Sequence, residues 1–296
     1  MSAPPHPLSA APLVRRKRGL QAQDHFSDHE ICSGLTAGQF RLVYQPKLHV
    51  RKNAIDSAEG LVRWDHPDLC LVLPDRFIAA SEASGSIGPL TLWTFERAIA
   101  DQRMMRARGA NLRLFVNLSA QLLTDENIVT EICALGRTAD IDIGVEVTER
   151  SMIADPDLAF ANIRRLREVG LCIAIDDYGS GLSSLTYLKQ IDADELKIDK
   201  SFITSLGTSH RDPLIVRSTI DLAHALGMAV TAEGVETPAA LALLTVMGCE
   251  MMQGYLIGRP MRPEILLDYL ETFDPASITV PNDSRVLRDH KFWKRA

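Results

Sequence analysis

The chain has 296 residues, with 32 Lys and Arg against 38 Asp and Glu, and a formal net charge of −6. Hydrophobic residues make up 46% and charged residues 24%, which excludes a wholly disordered, collagen-like or coiled-coil protein. A mildly acidic total provides no global field for the polyanionic backbone of DNA or RNA, so any nucleotide partner has to be held locally.

In chain order, residues 1–27 are rich in Pro, Ala, Ser and charge, lack periodicity, and are expected to form a disordered tail. The basic cluster Arg15-Arg16-Lys17-Arg18 follows the weakly apolar stretch instead of preceding it, the wrong order for a secretory signal. No run approaches the roughly 18–20 apolar residues of a membrane helix, so a cytoplasmic protein without a transmembrane segment is expected. Cys32, Cys70, Cys133, Cys172 and Cys249 are far apart and form no CxxC pair, which argues against a disulfide framework or a thiolate zinc site and for buried thiols.

A short helix is expected from Asp28 to Ala37. Runs rich in β-branched residues then recur at 40–48, 55–64, 112–119, 143–149, 171–177, 194–199, 228–235 and 250–258. Helical patterns fill 89–109, 120–136, 157–170, 183–191, 212–227, 238–248 and 263–273, and Gly109, Gly136, Gly170, Gly227 and Gly248 stand where such helices stop. Eight strands interleaved with helices predict an α/β fold, a modified (β/α)8 TIM-like barrel over 28–274, with an open doubly wound sheet as the alternative. The first two runs are too close for a helical crossover and should pair antiparallel, which places an antiparallel strand near the N-terminal end. The segment 275–296, with two prolines and a basic finish, is expected to be a tail peripheral to the core.

Barrel chemistry is placed at the carboxyl ends of the strands, and polar residues there interrupt nearly every apolar run. They are Glu59, Asn117, Glu146 and Glu149, Asp176 and Asp177, Lys197 and Asp199, Glu233, and Gln253. Any one of them alone reads as a helix cap or an ion-pair partner. Together, so many carboxylates at one mouth would repel unless a cation compensates, and oxygen ligands without His or Cys favour Mg²⁺ or Mn²⁺. The adjacent pair Asp176-Asp177 suits two ions sharing a bridging carboxylate, the arrangement that drives displacement at phosphorus. Lys197 should face the interior, either as a structural ion pair or holding the attacking water, and Arg63 is suited to a substrate phosphate.

The segments YQP (44–46), EGLVRW (59–64), PDRFIAASEASGSI (74–87), FVNLS (115–119), VEVTER (145–150), IDDYGSGLSSL (175–185), LKIDKSFI (196–203), TAEGVET (231–237) and MQGYLIGRPM (252–261) together resemble the EAL-domain family of cyclic di-GMP phosphodiesterases. The resemblance runs from about Ile31 to Phe273. It implies a modified barrel that hydrolyses cyclic di-GMP to linear pGpG with two divalent cations. It further implies Glu59, Asn117, Glu146 and Asp176 as ligands of the first ion, and Asp176, Asp177 and Glu233 around the second. Lys197 then corresponds to the catalytic lysine, Glu233 helps to activate water, and Glu149 anchors the loop from Gly179 to Ser184. Gln45, Leu61, Arg63 and Gln253, with Glu59, correspond to substrate contacts.

Gly60 replaces the alanine of the signature triplet, a change expected to matter little, whereas Leu182 replaces an aromatic in the loop and bears on activation. The resemblance also implies a homodimer. The barrel takes most of these residues, so regulation is expected from the tails, the oligomeric state or a regulatory protein partner. A catalytically silent cyclic di-GMP receptor is the competing reading, and the complete set of acids favours the enzyme.

Overall fold

The computed structural model describes residues 26–137, 142–148, 155–179 and 185–278. Helix α1 (Asp28–Thr36) opens with a full capping box, in which Ser27 accepts from the Glu30 amide while the Glu30 carboxylate accepts from the Ser27 amide. Phe26 is buried, with its ring 4.7 Å from that of Trp64. Strands β1 (Phe40–His49) and β2 (Ala54–His66) follow, then a short β3 (Cys70–Val72) and helices α2 (Pro74–Ser84) and α3 (Ile87–Ala107).

From there strand and helix alternate. Strand β4 (Arg113–Leu118) leads to α4 (Glu126–Arg137), β5 (Ile143–Thr148) to α5 (Pro156–Glu168), and β6 (Cys172–Tyr178) to α6 (Leu185–Leu188). Strand β7 (Glu195–Ile198) is followed by α7 (Lys200–Thr204) and α8 (Asp212–Ala225), β8 (Ala229–Ala232) by α9 (Pro238–Met247), and β9 (Met251–Gln253) by α10 (Pro263–Thr272).

The strands close into an eight-membered barrel in the order β1, β2, β4, β5, β6, β7, β8, β9 and back to β1, with β3 hydrogen-bonded to the outside edge of β2. Strand β1 is antiparallel to both β2 and β9, and the other seven barrel strands run parallel. The expected α/β barrel with an antiparallel N-terminal strand is the fold observed. The open sheet is excluded by the β1–β9 ladder, in which Lys47 pairs with Gln253 and His49 with Met251.

Several elements differ from expectation. Residues 70–84, outside the expected strands and helices, form β3 and α2, and 200–204 forms a helix. The pattern at 120–136 is broken at Asp125, which separates a 3-10 turn over Ala120–Thr124 from α4 and whose carboxylate caps the amides of Asn127 and Ile128. Gly136 lies inside α4 instead of ending it, and a Cβ there would stand 3.1 Å from Val169, so this glycine serves packing. Cys133 and Cys249 are buried as expected, but Cys70 is exposed on β3 and Cys32 and Cys172 are half-buried. Among the described residues no helix is long and apolar enough to cross a membrane.

Candidate active site

Inward-facing residues two apart on a strand occupy successive layers of the barrel. Phe115 and Asn117 on β4, Glu195 and Lys197 on β7, and Thr231 and Glu233 at β8 are such pairs. The upper layer centres on Lys197, which is fully buried. Its Nζ lies 2.6 Å from Glu233, 2.8 Å from Glu146, 2.9 Å from Asp176 and 3.4 Å from Glu59. Asn117 Nδ2 donates to Glu59 Oε1 at 3.1 Å, and Gln253 Nε2 donates to Glu59 Oε2 at 2.6 Å.

Consecutive residues of a regular strand point to opposite faces, so the Asp176-Asp177 pair needs a local departure. It has one. Asp177 takes the left-handed region at φ 54°, and the β6–β7 register is irregular between Ile175 and Tyr178. Asp176, Asp177 and Glu233 thereby bring carboxylate oxygens within 4.8 Å of one another, an all-oxygen set fit for a hard divalent cation.

The electrostatics agree. Burial raises Glu146 to about 8, reinforced by the Glu59 and Asp176 charges against the pull of two lysines. Burial also raises Glu233, to about 7, with Asp176 and Glu59 adding to the shift. Glu59 moves the other way: although burial opposes it, Lys197, Lys47 and the two amide donors hold it down near 2. Burial alone would lower Lys197, but Asp176, Glu146, Glu233 and Glu59 together keep it well above its ordinary value. Asp177 is raised by burial and then by Asp176. The negative charge in excess of the lysine is what an added cation would relieve.

Beside this cluster opens a cavity of about 710 Å³. Glu59, Leu61, Arg63, Asn117 and Asp177 form its inner wall, and Pro74, Ile78 and Glu82 of α2 with Leu90 and Thr94 of α3 form the outer one. The α2 part of that wall was not foreseen as helix, because α2 buries only Phe77 and Ser81 and so carries little apolar periodicity, whereas the α3 part lies in the helix expected over 89–109. Gln45 sits behind the cavity, donating to the Gly258 carbonyl at 3.2 Å and accepting from Gln253 at 3.4 Å. Glu149 and loop residues 180–184, including Leu182, lie outside the described residues.

Two further groups escaped the sequence reading. Lys47 on β1 and Glu195 on β7 are buried directly below the cluster, where Lys47 Nζ lies 2.9 Å from Glu146 and 3.0 Å from Glu195. Counting two residues back from Lys197 would have found Glu195.

The EAL domain profile matches residues 29–260. The chain belongs to the EAL domain family. It is 38% identical over 265 residues to the cyclic di-GMP phosphodiesterase NbdA of Pseudomonas aeruginosa, covering 88% of this chain and 33% of that protein. It is 32% identical over 243 residues to RocR of the same organism, also named a cyclic di-GMP phosphodiesterase, covering 81% and 62%. Among solved structures, the PaMucR phosphodiesterase in complex with cyclic di-GMP superposes with a TM-score of 0.76 at 35% identity, covering 80% of this chain and 98% of that one. The EAL enzyme Bd1971, bound to cAMP and cyclic di-GMP, also gives 0.76, at 30% identity over 82% and 68%. The EAL chain thus spans about a third of the length of NbdA and under two thirds of RocR.

Proposed function

We propose that this EAL domain hydrolyses cyclic di-GMP to linear pGpG in a metal-dependent reaction. The observation that carries the reading is the cluster of Glu59, Glu146, Asp176, Asp177 and Glu233 around buried Lys197, opening onto a cavity large enough for a nucleotide. Glu59, Asn117, Glu146 and Asp176 would hold one divalent cation and Asp176, Asp177 and Glu233 a second, Mg²⁺ or Mn²⁺ in each case. Bound there, the ions would supply an activated water and charge stabilisation at phosphorus.

The side chains have separate tasks. Lys197 keeps its proton, and its ammonium orients the attacking water and balances charge as the phosphorus becomes more negative. Glu233, within 4.8 Å of the Asp176 and Asp177 carboxylates and 2.6 Å from Lys197, is placed to help take a proton from that water. Arg63 and Leu61, on the wall next to Glu59, are the substrate contacts, with Arg63 forked toward a phosphate. Gln253, which donates to Glu59, and Gln45, which accepts from Gln253, complete with Glu59 the set of substrate contacts that the resemblance implies. Glu149 keeps the loop-anchoring role that the resemblance implies. The same reading carries a cytoplasmic homodimer answering to a regulatory protein partner.

The test is incubation of purified protein with cyclic di-GMP and Mg²⁺ or Mn²⁺, then with excess chelator, with products separated by chromatography. Metal-dependent release of pGpG is expected. Binding without product under both metals would mean a receptor.

A further inference from the structure

Resting on the phosphodiesterase reading above, we infer that Lys47 is a positioning residue for that reaction, a buried ammonium anchored by Glu195 and Thr231 that holds one oxygen of Glu146 so that the other is presented to a metal ion. The chain of contacts crosses four strands. Thr231 Oγ1 on β8 donates to Glu195 Oε1 at 2.6 Å, and Lys47 Nζ on β1 donates to the same oxygen at 3.0 Å. Lys47 also donates to Glu146 Oε1 on β5 at 2.9 Å, while Lys197 donates to Glu146 Oε2 at 2.8 Å. Each oxygen of Glu146 is thus held by a different lysine, which pins the carboxylate, with Oε2 on the side of Lys197 and the acids around it.

The seat of Lys47 is built as closely as its contacts. Its ammonium lies 3.7 Å above the centre of the Phe115 ring, an arrangement that suits a desolvated cation. That ring fits only because residue 144 is glycine, since a Cβ there would come within 2.4 Å of it. Lys47 is itself fully buried, and Glu195 is 6% exposed.

Stability does not account for this arrangement. A buried ion pair is commonly replaced by apolar residues of similar size at little cost, so a fold needing only packing here has no use for Lys47. Groups that hold a metal-ligating carboxylate in place do need such a partner, and losing one typically weakens metal binding about 10- to 100-fold.

The deciding variant is Lys47→Met/Glu195→Leu, which removes both charges together. Circular dichroism and thermal unfolding check the fold, calorimetric titration with Mn²⁺ alone gives metal affinity, and steady-state kinetics give kcat and KM. The expected result is a folded protein whose Mn²⁺ affinity and kcat both fall about 10-fold or more, with KM within about twofold of wild type. Wild-type Mn²⁺ affinity in the folded double variant overturns the inference. Should it not fold, Lys47→Gln is compared with Lys47→Met. The two are similar in volume and both remove the Lys47 charge while Thr231 still donates to Glu195, but only Gln keeps a side-chain donor within reach of Glu146. Tighter Mn²⁺ binding by the Gln variant supports the inference, and equal binding overturns it. If wild type binds Mn²⁺ yet releases no pGpG, the phosphodiesterase reading fails while the affinity ratio still decides the role of Lys47.

Discussion

The two polar layers of the barrel interior are built on opposite principles. Below, Lys47 is matched by Glu195 and Glu146, with Thr231 taking up a further lone pair, so charge is nearly balanced within the protein. Above, four carboxylates contact Lys197 and Asp177 stands beside them, so the acids outnumber the cation. A balanced layer is complete by itself. An unbalanced one is complete only with something added, and its excess of hard oxygen ligands says that the addition is a divalent cation.

The largest way to break this contrast is Lys197→Met. Removing the cation from the overcharged layer should cost about 3–5 kcal/mol of stability in chelator-treated protein, because buried acids lose their partner. It should also lower kcat by about 10²- to 10⁴-fold in the presence of Mn²⁺. Thermal unfolding with and without Mn²⁺, beside kinetics, checks both numbers. An unchanged turnover number would remove Lys197 from the catalytic list.

A pH series sharpens the contrast, since the acids titrate in two windows, with Glu59 of the upper layer joining Glu195 in the lower one. In chelator-treated protein Glu233 and Glu146 are raised from an ordinary 4.5 to about 7 and about 8. Between roughly pH 5 and 8 the folded form therefore keeps protons that the unfolded chain has released, and the upper layer makes stability fall as pH rises. Mn²⁺ competes with those protons and should reverse the slope. Glu195 is lowered by Lys47 and Thr231 against the effect of burial, and Glu59 by Lys197 and Lys47. Their contributions are complete above about pH 4.5 and are lost only as pH falls through their folded values. Scanning calorimetry from pH 2 to 8.5 reads both limbs. A melting temperature that climbs from pH 5 to 8 without metal would sink the assignment of raised acids to the mouth.

The smallest expected effect is Gly60→Ala. A Cβ at 60 would lie 3.2 Å from the Phe115 carbonyl and 3.2 Å from the Tyr44 ring, closer than ordinary contact, so one neighbour must yield. Overpacking should cost about 1–3 kcal/mol, offset by the roughly 0.5–1 kcal/mol that favours alanine over glycine inside a strand, with kcat unchanged within about twofold. A tenfold change in kcat would show that the triplet alanine does more than fill space.

Much of this was legible in the chain. The barrel strands were readable because each is a short apolar run ending near a glycine or a helix cap, and the mouth acids stood out as charges embedded in such runs. The pair Asp176-Asp177 was readable as a site, but its means, the left-handed Asp177 and the register slip beside it, was not. Lys47 was invisible because YQPKL reads as ordinary alternation, and a lysine there has a solvated face as its default. It became conspicuous only when Glu146 and Glu195, 99 and 148 residues away in sequence, were found against its ammonium. Helix α2 was missed because it contributes few large apolar side chains to the core, although it walls the cavity.

Local pattern alone determined the alternation of strand and helix, the reversal between β1 and β2, and which residue types stand at the strand ends. These follow from hydrophobic periodicity and connection length, which act between neighbours in the chain. Closure decided the rest. Once β1 pairs with β9, side chains from strands distant in sequence share one low-dielectric interior, where every charge must find a partner. That requirement sorts the acids and lysines into a layer balanced by the protein and a layer left for a cation.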